Sequence, residues 1–86
     1  MGIVFRMGGK KGAARFSPYV WLIYCDYEIG GRTLKLNYSG YDVVLKAAES
    51  HMMDKLFAAI AKNECEEIEE KSGVLTIEII EKEAEE

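Results

Sequence analysis

The chain has 86 residues, 49% hydrophobic and 30% charged, with a net charge of −4. That composition reads as one globular domain, 1–86, near the lower size limit for a self-sufficient core, and it excludes a multidomain enzyme, a repeat array and a large cofactor-enclosing fold. The apolar gain on folding, on the order of 130 kcal/mol at about 25 cal/mol per Å², nearly equals an ordering cost of about 1.5 kcal/mol per residue. Association with a second copy would therefore help such a chain. The charge is unevenly placed. Residues 1–15 carry four cations and no acid, residues 16–63 balance five against five, and residues 64–86 carry ten Glu against Lys71 and Lys82. A basic arm and an acidic segment on one small domain can each attract a partner, or each other.

Ile3 to Met7 reads as a short strand. A basic Gly-rich loop, 8–17, follows, with three glycines and Lys10, Lys11 and Arg15. Ser17-Pro18 closes it, because the residue before proline is pushed to extended geometry. Tyr19 to Ile29 is dense in β-branched and aromatic residues and reads as a strand. Gly30-Gly31 then predicts a two-residue hairpin turn into Arg32–Tyr38. That register sets Ile29 opposite Arg32, Tyr27 opposite Leu34, Cys25 opposite Leu36 and Ile23 opposite Tyr38, with Trp21 on the same inner face. Val20, Leu22 and Tyr24 fall on the other face, where they would form an oligomer face or be covered by a further element.

Ser39-Gly40-Tyr41-Asp42 resembles a helix start, with Ser39 or Asp42 as the cap. Leu45, Ala48, Met52, Leu56, Ala59 and Ile60 recur at helical spacing, predicting an amphipathic helix of about twenty residues. Asn63 is a stop signal. Residues 64–70 fit either a continued helix or an edge strand, and the Ser72-Gly73 turn signal favours the strand, hairpinned so that Ile68 faces Ile77. Val74–Ile80 reads as a strand with Leu75, Ile77 and Ile79 on one face. Residues 82–86 are a charged, frayed tail of the acidic segment 64–86. The expected architecture is α+β, a two-layer sandwich in the order β-β-β-α-β-β. An antiparallel sheet of four to five strands has one long helix packed on one face.

No residue set carries a catalytic motif. His51, the one histidine, lies at the edge of the helix's apolar stripe, and no spacing ties it to Cys25 or Cys65. Cys25 reads as a core residue, and the Glu neighbours of Cys65 disfavour a reactive thiolate. Two cysteines without a Cys-x-x-Cys pair give neither a disulfide scaffold nor a zinc site, and the Glu run lacks the pattern of a calcium loop. No cofactor and no metal are expected. Arg6 stands where a myristoylation motif needs Ser or Thr, no apolar leader is read at the start, and the longest apolar run, Tyr19–Cys25, is too short to span a membrane. A cytoplasmic setting follows as the expectation.

Three functional readings remain. The first is a small non-enzymatic interaction module, a homodimer or a binder of a protein partner such as a nucleic-acid-handling protein. It would inhibit or regulate through Glu66, Glu67, Glu69 and Glu70, whose carboxylates imitate a phosphate backbone. The second is a nucleic-acid or nucleotide binder in which Lys10, Lys11 and Arg15 contact phosphate; the net acidity weighs against it. The third is a small dimeric enzyme using His51.

Overall fold

Alternation starts the fold. The computed structural model describes residues 1–8 and 13–82. In β1 (Gly2–Arg6), Ile3 and Phe5 point inward and are fully buried. It pairs antiparallel with β2 (Ala14–Pro18), Gly2 opposite Pro18 and Arg6 opposite Ala14. The second half of the predicted loop 8–17 is therefore strand. Position 2 admits only glycine, since a Cβ there would lie 2.5 Å from the Ser17 carbonyl oxygen and 2.7 Å from the Pro18 Cα.

A single 3-10 turn, Tyr19–Trp21, separates β2 from β3 (Leu22–Tyr27). Between β3 and β4 (Thr33–Tyr38) the predicted register appears at Tyr27 opposite Leu34, Asp26 opposite Lys35, Cys25 opposite Leu36 and Tyr24 opposite Asn37. Two details differ. The turn is centred one residue earlier, with the Gly31 N–H on the Glu28 carbonyl at 2.7 Å and Gly30 at φ 87°, so Ile29 leaves the ladder. A bulge between Leu22 and Tyr24 then sets Leu22, not Ile23, opposite Tyr38. One extra residue reverses the alternation. Leu22 packs on the core, while Ile23 and Trp21, expected inside, are exposed.

Ser39-Gly40 is a hairpin turn rather than a helix start. It leads into β5 (Tyr41–Ala47), which pairs with β4 from Asn37–Asp42 to Thr33–Lys46. Tyr41, Val43, Leu45 and Ala47 alternate with Asp42, Val44 and Lys46. That period of two, with two adjacent β-branched valines, overrides the helical spacing read through Leu45. The helix α1 is correspondingly shorter, the twelve residues Ser50–Ala61. It ends as expected at Asn63, which takes φ 57°. The Glu64 N–H bonds the Ala59 carbonyl at 2.8 Å and the Asn63 N–H bonds Ile60 at 3.0 Å, the two bonds of a Schellman cap.

Beyond it, β6 (Glu67–Glu69) is the expected strand with an unexpected partner. It runs parallel to β1, with Ile68 beside Phe5 rather than facing Ile77. The strand β7 (Leu75–Glu81) instead pairs antiparallel with β5 over its whole length.

The fold is α+β. A four-stranded antiparallel sheet, β3-β4-β5-β7, and a three-stranded mixed sheet, β2-β1-β6, account for seven strands, and one helix packs on them, among the described residues. One continuous core joins all three parts. Helix α1 covers the inner face of the larger sheet near the β3–β4 turn, where the Phe57 ring lies 5.0 Å from Tyr27 and the Tyr27 hydroxyl donates to Asp54. The smaller sheet covers the opposite end, where Phe5 meets Tyr38 edge to face at 6.4 Å and Ser17 shares a 2.5 Å hydrogen bond with the Tyr41 hydroxyl. No helix among the described residues is long and apolar enough to cross a membrane.

Candidate interaction surface

The two sheets have four edge strands, and they are not alike. Edge β6 has three residues, two of them outward-facing glutamates. Edge β7 carries exposed Glu78 and Glu81, and its Ile77 N–H is held at 3.1 Å by a Glu70 carboxylate oxygen. Edge β2 ends in Pro18, which has no N–H to offer, and its Arg15 guanidinium bonds Glu81 at 3.0 Å while lying 4.6 Å over the Tyr41 ring. Charge, brevity and proline all blunt edge pairing. Edge β3 is different: Val20, Trp21, Ile23 and Tyr24 lead into and along it, 85%, 54%, 61% and 50% exposed.

This patch is held in place from behind. The Asn37 side-chain amide donates to the Tyr24 hydroxyl at 3.2 Å, and Lys82 donates to Asn37 Oδ1 at 3.0 Å and to the Tyr38 carbonyl at 2.7 Å. Asp42, half-buried, sits 3.5 Å from Lys82 and 3.6 Å from Lys35. The Lys82 approach is close enough for an ion pair but leaves Asp42 Oδ1 without a hydrogen bond. Asn37 is nearly buried within this network, so the Tyr24 ring has a fixed seat.

The residues singled out from sequence divide between structure and surface. Of Val20, Leu22 and Tyr24, the first and last are exposed, while Leu22 is drawn into the core by the bulge. Trp21 and Ile23 take its place. The signal for them was the unbroken apolar run Tyr19–Cys25, which holds more apolar residues than one face of an edge strand can bury.

Of the acidic set, Glu67 pairs with Arg6, and the Glu70 carboxylate accepts from the Gly8 N–H at 3.1 Å as well as from Ile77. Glu66 and Glu69 are exposed, and no cation among the described residues pairs with either. Of the basic set, Arg15 is engaged as described, and Lys10 and Lys11 lie outside the described residues.

His51 is exposed in the first turn of α1. It borders a shallow cleft of about 340 Å³ with Glu49, Met52, Lys55 and Leu56. The cysteines are far from an activated state. Burial pushes both thiols up, with Asp26 adding to the effect on Cys25 and Glu66 to that on Cys65. The one hydrogen bond of the Cys65 thiol goes to the Glu67 carbonyl. Among the described residues no three His, Cys, Asp or Glu side chains converge as a metal site would need. Comparison with protein-family models, with curated proteins and with solved structures finds no match.

Proposed function

We propose that the chain is a non-enzymatic protein-interaction module that binds through the apolar surface at Val20, Trp21, Ile23 and Tyr24. One observation carries the reading: Ile23 and Tyr24 stand exposed on edge strand β3, Val20 and Trp21 lead into it, and Asp26 is the only charged residue on that strand. Contiguous exposed apolar surface on a small domain marks an association site. Trp and Tyr are the residue types that dominate binding energy once water is excluded around them. A regulator or inhibitor needs no catalytic group; it acts by occupying a partner's surface.

The acidic segment supports this role less well than its sequence suggests, because Glu67 and Glu70 are engaged within the fold. Glu66 and Glu69 are left for a charged contact.

The test compares capture from native extract, with and without nuclease, by three immobilised forms: the natural chain, Trp21→Ser/Ile23→Lys, and Glu66→Lys/Glu69→Lys. The substituted side chains are exposed, so circular dichroism should be unchanged. The patch variant is expected to lose the partner and the charge variant to keep it. The opposite pattern assigns binding to the acidic segment. A partner recovered only without nuclease assigns function to the basic loop.

A further inference from the structure

We propose that a second copy of the chain occupies this surface, the two β3 strands pairing antiparallel across a two-fold axis. The two four-stranded sheets would then join into one of eight strands. This inference rests on the reading of Val20–Tyr24 as the binding surface and adds its occupant.

The first argument is the unpaired edge. β3 ends the strand order, with a hydrogen-bonded neighbour on one side only. The alternate residues whose backbone groups point away from β4 present donors and acceptors beside an apolar margin, the arrangement that templates pairing with another strand.

The second argument is area. Taking roughly 150–250 Å² for each large side chain, the exposed parts of Val20, Trp21, Ile23 and Tyr24 amount to about 500 Å² per copy. Full burial of that surface on both copies would give roughly 1,000 Å², the lower limit for a specific interface. A two-fold axis uses one patch twice, so no second complementary surface is required.

The third argument is register. Antiparallel partners must show the same face. Pairing Cys25 with Cys25 of the second copy sets Tyr24 opposite Asp26 and Asp26 opposite Tyr24, three consecutive pairs with faces matched. Advancing the register by two sets Asp26 against Asp26, a like-charge pair. Retreating it by two sets outward Ile23 against inward Cys25, because the bulge at Ile23 breaks the alternation. Of the three, only the Cys25-centred register gives three consecutive matched pairs without a like-charge contact, Ile23 and its bulge falling beyond them.

The test is sedimentation of the natural chain from micromolar to millimolar concentration, with Trp21, the sole tryptophan, as a second reporter. A monomer–dimer equilibrium is expected, with Trp21 emission shifting to the blue as dimer forms. Ile23→Lys should weaken the dimer at least about tenfold. Amide exchange should slow at β3 on dimerisation and stay unchanged at β7.

The register has its own test. Tyr24→Asp places two acids opposite each other and should weaken the dimer more than Tyr24→Lys, although both lose the Asn37 hydrogen bond. Equal weakening overturns the register. A dimer indifferent to Ile23→Lys overturns pairing through β3. A monomer at millimolar concentration overturns the second copy as occupant and leaves the patch to a different protein, which the capture experiment reads separately.

Discussion

Among the described residues Tyr38 is the largest side chain with no exposed surface, and its hydroxyl has no hydrogen-bond partner. Burial raises its pKa strongly, with smaller contributions from Tyr41, Tyr19, Cys25 and Cys65. Tyr19, Cys25 and Cys65 are raised as well, again chiefly by burial. These groups stay protonated in the folded chain at pH values where the unfolded chain loses its protons. Their contribution to stability is complete below the ordinary values, 9.0 for the thiols and 10.0 for the phenols, and declines as pH rises above them. The urea midpoint is therefore expected to hold constant up to the thiol value and to fall beyond it. Tyr38→Phe removes an orphaned polar group whose burial costs about 1–3 kcal/mol, so the variant should equal the natural chain or exceed it by about 1 kcal/mol. It should also lose less stability above the phenol value. A clear loss of stability at neutral pH would mean that the hydroxyl has a partner after all.

Elements show where pattern and context part. The β3–β4 pairing was legible because Tyr27, Cys25, Leu34 and Leu36 sort cleanly onto one face. The bulge was not, since nothing in Leu22-Ile23-Tyr24 distinguishes a regular strand from one with an extra residue. Strand β5 was misread for a different reason. Leu45 belongs both to a period of two through Tyr41, Val43 and Ala47 and to a helical period through Ala48 and Met52. Hydrogen bonding on both sides of Tyr41–Ala47, to β4 and to β7, resolves the ambiguity in favour of strand. Helix α1 then starts at Ser50, behind Glu49, whose side chain makes no capping bond although its backbone is already extended at φ −127°, ψ 138°. Glu49→Asp keeps the favourable negative charge and shortens the reach to the free N–H groups. A gain of about 0.5–1 kcal/mol in thermal or urea denaturation is expected.

At the scale of the molecule, a few polar side chains tie the two sheets together. The Glu70 carboxylate accepts from Gly8 after β1 and from Ile77 in β7. Arg15 reaches from β2 to Glu81 in β7, in an exposed pair that adds little. Glu70→Ala leaves the part-buried Ile77 N–H without its acceptor, while water can replace the carboxylate at the exposed Gly8 N–H, and should lower stability by about 1 kcal/mol. Amide exchange at Ile77 is the local readout, and unchanged exchange there would mean that the carboxylate does not hold the strand edge. The same geometry divides the Glu-rich segment into engaged and free carboxylates. In sequence, Glu66, Glu67, Glu69 and Glu70 are one charge run; in the fold, two of them are engaged with other elements.

The amino-acid pattern was enough to establish the α+β class, the central hairpin with most of its register, the stop at Asn63 and the inward face of β7. These rest on local properties: β-branching, alternation, and glycine or asparagine at positive φ. Tertiary structure was needed for the parallel pairing of β6 with β1, the conversion of Tyr41–Ala47 to strand, and the outward turn of Trp21 and Ile23. Each depends on hydrogen bonds between residues far apart in the chain. A ladder leaves no trace in either strand's sequence beyond the suitability of each to be a strand. The proposed interaction surface belongs to the second group, because a single extra residue in β3 determines which apolar side chains meet the core and which stand exposed.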